Sequence, residues 1–204
     1  MKYFIVALLW VGYGVLHSFL ISIRFSNWAN RILGRYFAYY RLAYNVVSLA
    51  LLIILFIYTK NVDSTYVIEF MSPWTTLQYG LLLSSAGLIL WAFFSYDSLE
   101  FIGLRQIMDL GKKKNKSEQM AITKEGLLGV IRHPMYLATL VFIWSLNSTK
   151  ADILVHLILS IYILIGIRLE ERKLVQQFGS AYLSYKDEVP ALIPFSRFLK
   201  RKWY

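Results

Sequence analysis

Five apolar runs, at about residues 3–23, 39–58, 73–96, 134–146 and 153–169, alternate with polar stretches along the chain. A helix rising 1.5 Å per residue needs about twenty apolar residues to cross a hydrocarbon core near 30 Å thick. The first three runs and the fifth approach that length. The fourth is shorter and covers only about 20 Å as a helix, so the fourth and fifth read as a tight helical hairpin turning at Asn147, Ser148, Thr149 and Lys150. After Glu171 the apolar positions Leu174, Phe178, Tyr182 and Tyr185 recur every three or four residues, the pattern of an amphipathic helix. Pro190 and Pro194 end it, and Arg197, Lys200, Arg201 and Lys202 suit an interfacial anchor. The expectation is an all-α integral membrane protein: one domain over residues 1–204, about five spans, a loop at 97–132 and a tail at 170–204.

Composition agrees, with 57% hydrophobic and 17% aromatic residues, and the net charge of +10 is distributed unevenly. The first polar loop carries Arg24, Arg31, Arg35 and Arg41 without an acid; together with the loop at 97–132 and the chain from Arg168 onward it holds nineteen lysines and arginines, against three on the opposite side. Basic residues flanking membrane spans mark the cytoplasmic face, which puts the N-terminus outside, the C-terminus in the cytoplasm, and the start of the fourth run on the same face as the end of the fifth. The basic charge is thereby assigned to topology and anionic lipid, not to nucleic acid. The lysine-rich stretch from Gly111 to Glu118 reads as a solvated excursion near headgroups. The first apolar run lacks a small-residue cleavage site, so it is expected to remain as a span. With no cysteine, thiolate chemistry and cysteine-ligated metals are excluded, and no metal site is expected. The sequence leaves the oligomeric state open.

Two ionisable clusters flank the hairpin: Arg132-His133-Pro134-Met135-Tyr136 and Arg168-Leu169-Glu170-Glu171. Taken alone, a proline at the first turn is an ordinary helix start, and the second cluster reads as salt bridging where a helix leaves the bilayer. Charges beside a span are nevertheless costly enough to mark function. If the hairpin forms, His133, Tyr136, Arg168 and Glu171 reach one ligand. Anionic and guanidinium groups together suit a zwitterion such as S-adenosylmethionine, and Tyr136, Tyr182, Tyr185 and Trp144 offer aromatic faces to its sulfonium and adenine. Methyl transfer needs mainly positioning and exclusion of water. In the first run His17 is read either as a helix-to-helix hydrogen bond or as part of a substrate pocket. Asp97 and Glu100 are either a solvated loop face or a lid over an acceptor.

The stretch Gly126-Leu-Leu-Gly129-Val-Ile-Arg-His-Pro-Met-Tyr136, the Arg168–Glu171 cluster, Phe178-Gly179, Tyr182, Tyr185 and Val189-Pro-Ala-Leu-Ile-Pro194 resemble the C-terminal signature of the isoprenylcysteine carboxyl methyltransferase and phospholipid methyltransferase superfamily. His17-Ser18, Tyr40 to Asn45 and Asp97 to Gln106 look more like its bacterial methanethiol S-methyltransferase subgroup. The resemblance implies an S-adenosylmethionine-dependent methyltransferase of the bacterial inner membrane, with a cytoplasmic cofactor pocket. Its acceptor would be a small hydrophobic thiol, or a lipid-like thiol or carboxylate. By position, His133, Tyr136 and Arg168 would be catalytic. Arg132, Glu170, Glu171, Tyr182 and Tyr185 would join them around the cofactor, and His17, Asp97, Glu100 and Trp144 would face the acceptor. Ala138 departs from the glycine usual in the superfamily. Two other readings compete: an NADPH-dependent membrane reductase of the sterol reductase type, and a non-catalytic haem-binding or accessory subunit using His17 and His156.

Overall fold

The computed structural model describes residues 1–95, 97–110, 124 and 126–194. The lysine-rich stretch within 111–123 and the basic tail residues Arg197, Lys200, Arg201 and Lys202 lie outside the described residues. The chain order is α1 (Lys2–Ile21), α2 (Ile23–Leu33), α3 (Tyr40–Lys60), β1 (Tyr66–Ile68), α4 (Trp74–Ser95), α5 (Ser98–Ile102), α6 (Leu104–Met108), α7 (Pro134–Trp144), β2 (Ser148–Thr149), α8 (Lys150–Phe178) and α9 (Ser180–Glu188). Among the described residues, four helical stretches, carrying α1, α3, α4 and α8, are long and apolar enough to cross a membrane. Only 11% to 22% of the apolar window in each is buried within the protein. Helices that leave most of such a surface uncovered need lipid around them. The protein is an all-α integral membrane protein.

The described residues form two compact units. The first takes in residues 1–70, those described within 93–115, and 147–159. Here α1 and α3 bury Val6, Trp10 and Leu55 with Val155 from the start of α8. Trp10 Nε1 donates to Thr59 Oγ1 at 2.9 Å, and Thr59 donates to the Leu55 carbonyl at 2.8 Å, which satisfies polar groups that lipid would leave unpaired. The expected turn at 147–150 instead contains β2, which pairs antiparallel with β1. Asp152 then caps α8, accepting from the Thr149 amide and hydroxyl and from Lys60 Nζ, each at 2.9 Å.

The arginine-bearing first loop is helical too. Ser22 Oγ accepts from the Phe25 amide and starts α2, which ends in a 3₁₀ turn at Gly34–Tyr39. Arg24, Asn27 and Arg31 occupy one side of α2; Phe25, Trp28 and Ile32 occupy the other, the layout of a helix lying in a membrane interface. Asp97 caps α5 by accepting from the Glu100 amide at 3.0 Å, and Gly103, at φ +102°, turns the chain into α6. A side chain on Gly103 would come within 2.6 Å of the Leu42 amide nitrogen, so glycine is needed for conformation and clearance together.

The second unit comprises residues 71–92, those described within 116–146 and 160–194, and contains α7, the later part of α8, and α9. Its α7 has eleven residues and reaches only about 17 Å, too short to cross. It runs antiparallel to α8: Trp144 Nε1 donates to Ser160 Oγ at 3.0 Å near one end, and His133 meets Glu171 at the other. The 29 residues of α8 extend about 43 Å, so its last turns reach beyond a hydrocarbon core of about 30 Å. The tail is not one continuous amphipathic helix as its spacing suggests. Gly179, at φ +57°, breaks it, and α9 folds back so that Tyr182, Tyr185 and Val189 pack on Leu174, Val175 and Phe178. The tail's apolar stripe therefore closes mostly upon itself.

Candidate functional site

Pro134 opens α7 at a position where its missing N–H is no loss. The two residues before it are tied to the tail through their backbones. The Arg132 amide donates to the Pro190 carbonyl at 2.9 Å and the His133 amide to the Ala191 carbonyl at 3.0 Å. Val189, in extended conformation, and Pro190 end α9 and present these carbonyls. The histidine backbone is thus fixed before its side chain makes any contact.

Arg132, with its side chain only 6% exposed, donates through Nε to Glu171 Oε1 at 2.8 Å and also through Nη2. Its Nη1 donates to the Lys186 carbonyl at 3.1 Å and to the Val189 carbonyl. Lys186 Nζ lies 2.9 Å from Glu171 Oε2, and His133 Nε2 lies 3.2 Å from Oε1. One carboxylate therefore holds a guanidinium, an ammonium and an imidazole, uniting α8, α9 and the segment before α7. A buried anion needs such compensation. The other imidazole nitrogen, Nδ1, lies 3.8 Å from Glu170 Oε2, and the Glu170 side chain is 45% exposed. The Tyr136 ring stands 5.5 Å from the imidazole.

Two tyrosines back the cluster. Tyr185 donates to the Leu128 carbonyl at 2.6 Å, linking α9 to the 3₁₀ turn at Gly126–Gly129, and packs edge-on to Tyr182 at 5.7 Å. Burial, reinforced by the Glu171 charge, pushes the Tyr182 phenol up to about 12. It is a neutral donor and an apolar wall at ordinary pH.

Of the residues expected at the site, Arg132, His133, Tyr136, Arg168, Glu170, Glu171, Tyr182, Tyr185 and Trp144 all fall in the second unit. Arg168 does not join the cluster as its spacing from Glu171 suggests; it is exposed, and Arg132 is the guanidinium on Glu171. Trp144 is partly exposed and bonded to Ser160. His17, Asp97 and Glu100 belong to the first unit. There His17 Nδ1 is 3.2 Å from Ser48 Oγ and its ring stacks on Tyr13, while Asp97 pairs with Arg105 at 2.6 Å. Lys186 was not foreseen: it reaches Glu171 only because Gly179 turns the chain back, and no local spacing signals that.

The chain resembles several curated proteins. It is 33% identical over 180 residues to a methanethiol S-methyltransferase of Pseudomonas sp., covering 87% of this chain and 68% of that protein. It is 29% identical over 195 residues to methanethiol S-methyltransferase 1 of Bradyrhizobium diazoefficiens, covering 93% of this chain and 66% of the relative. A protein-S-isoprenylcysteine O-methyltransferase of Saccharomyces cerevisiae matches at 33% over 90 residues, 41% of this chain and 36% of that protein. No family model matches. No solved structure matches either.

Proposed function

The chain belongs to the methanethiol S-methyltransferase family and is a membrane methyltransferase; from that premise we propose that it transfers the methyl of S-adenosylmethionine to a small hydrophobic thiol, or to a lipid-like thiol or carboxylate. The observation that supports a site at the foot of α7 is the imidazole of His133, buried and fixed between two carboxylates of α8. S-adenosylmethionine, when bound, supplies an electrophilic methyl and a zwitterionic amino-acid end. The residues present suit such a group. Glu170, partly open to solvent beside His133, offers an anion to the ammonium, and the exposed Arg168 offers a guanidinium to the carboxylate. Tyr136, half-buried beside the imidazole, supplies aromatic surface for the cationic sulfur.

Glu171 takes a different part from Glu170 in this reading. Its oxygens are engaged by Arg132, Lys186 and His133, so it orients the imidazole rather than receiving the cofactor. A thiol acceptor must lose its proton during attack, and His133 is the group placed to accept it. The acceptor reaches the site from the bilayer and the cofactor from the cytoplasm, with the N-terminus outside and a bacterial inner membrane as the location. The test is calorimetric titration of the detergent-solubilised chain with S-adenosylmethionine, followed by radiolabelled methyl transfer to methanethiol and to longer thiols. Glu170→Gln should weaken cofactor binding at least tenfold without lowering thermal stability. Failure of the parent chain to bind the cofactor or methylate any thiol or lipid would overturn the reading.

A further inference from the structure

A cavity of about 640 Å³ lies in the first unit, and its lining shares no residue with the His133 cluster. It is bounded by the end of α1, the start of α3, and α5 with α6; its walls include Tyr40, Arg41, Tyr44, Glu100, Arg105 and Asp109. Its place is informative. The apolar helix α1 ends at Ile21 and α3 begins at Tyr40, so the cavity sits where these helices leave the hydrocarbon. The amphipathic α2, with Trp28 and Ile32 exposed on its apolar side and Arg24 and Arg31 on its polar side, contributes Ser26 to the same wall. Both features put the opening at headgroup depth.

The lining carries both signs of charge. Arg41 Nη1 lies 3.1 Å from the Gln106 side-chain amide and 3.8 Å from Glu100, which leaves the other guanidinium nitrogens to meet a ligand. Arg105 engages Asp97 through Nε and also lines the cavity. Phe37 stacks on Tyr40 at 5.4 Å, and Tyr44 stands 6.0 Å from Tyr40, giving a continuous aromatic wall. A small apolar thiol would leave these charges unmatched and most of the space unfilled. A phosphate joined to an ammonium would satisfy both signs: guanidinium groups on the phosphate, carboxylates and ring faces on the ammonium. One turn from Leu20 and Tyr44 of the lining, Leu16 of α1 and Val47 of α3 are exposed and apolar, a surface for acyl chains.

We propose that this cavity holds the headgroup of a zwitterionic glycerophospholipid, its phosphate on Arg41 and Arg105 and its ammonium against Glu100 and the faces of Tyr40 and Tyr44. This inference does not rest on the methyltransferase reading. The probes are phosphatidylethanolamine, phosphatidylglycerol, diacylglycerol and soluble O-phosphoethanolamine, titrated onto the full chain in detergent and read by native mass spectrometry. Phosphatidylethanolamine should be retained at least tenfold more strongly than the other two lipids. The double variant Arg41→Gln/Glu100→Gln should lose that preference, and Arg31→Gln/Glu69→Gln, which removes one charge of each sign outside the cavity, should keep it. If the double variant fails to fold, a phosphatidylethanolamine with a photoreactive headgroup decides on the parent chain, with crosslinks expected at α3 and α5. Equal retention of phosphatidylglycerol, crosslinks confined to other segments, or O-phosphoethanolamine binding as tightly as the lipid would overturn the proposal. So would loss of S-adenosylmethionine affinity in the double variant with lipid retention unchanged.

Discussion

Replacing Arg132 by methionine keeps an unbranched apolar stem, two atoms shorter, and removes the charge and donors. The guanidinium bonds Glu171 through two nitrogens and the Lys186 and Val189 carbonyls through a third, at 6% side-chain exposure. These contacts share one group and cannot be summed. Removing one partner of a buried ion pair costs about 3–5 kcal/mol. Glu171 would keep Lys186 and His133, so a loss near the lower end, about 3 kcal/mol, is expected. The assay is unfolding of the purified protein by SDS titration in mixed micelles, for the parent, Arg132→Met, Glu171→Gln and the double variant. The double-mutant cycle should show a coupling of at least about 1.5 kcal/mol, the scale of a hydrogen bond to a charged group. Arg132→Lys should recover little, because a single ammonium cannot reach Glu171 and two tail carbonyls together. A loss under about 1 kcal/mol with no coupling would equate the pair with an exposed one and refute the reasoning.

Gly103→Ala should destabilise the docking of α5 and α6 on α3 by more than the about 1–2 kcal/mol of a left-handed residue, since its Cβ would also strike the Leu42 amide at 2.6 Å; faster hydrogen exchange confined to residues 98–108 would show it, and unchanged exchange would count against it. Tyr182, with its folded pKa raised to about 12 from the ordinary value near 10, favours the folded state while protonated. That contribution is whole below pH 10 and is lost as pH rises toward 12, so Tyr182→Phe should lose less stability than the parent over that interval; parallel pH curves would contradict it. Tyr185→Phe should cost about 1 kcal/mol through the lost bond to the Leu128 carbonyl, read in the same micelle unfolding.

The long helices were legible because lipid forces any long apolar run to satisfy its backbone internally, and α1, α3 and α4 begin and end close to the limits of their runs. The shortness of the fourth run likewise became the short α7. What was missed has identifiable causes. The arginines between the first two runs mark topology by their charge, which masks the helical period they share with Phe25, Trp28 and Ile32. Strands of two and three residues carry no pattern, so β1 and β2 left no trace in the sequence. In the tail, Leu174, Phe178, Tyr182 and Tyr185 keep an unbroken helical spacing, which conceals the break at Gly179. That break decides the site. It returns Lys186 to Glu171 and the Val189 carbonyl to Arg132, contacts between residues far apart in sequence. Residue types pointed to His133 and the two glutamates, but only the folded tail distinguishes Glu171, held from three sides, from Glu170, partly open to solvent.

The ties from Arg132 and His133 to residues 186–191 also impose an order on biosynthesis. A ribosome delivers the imidazole more than fifty residues before the carbonyls that clasp it, so α7 must wait at the bilayer with its guanidinium hydrated. Assembly of this end of the protein therefore trails the synthesis of α7, and a nascent chain stalled short of residue 186 should still carry Arg132 in a form that water-soluble arginine reagents can modify.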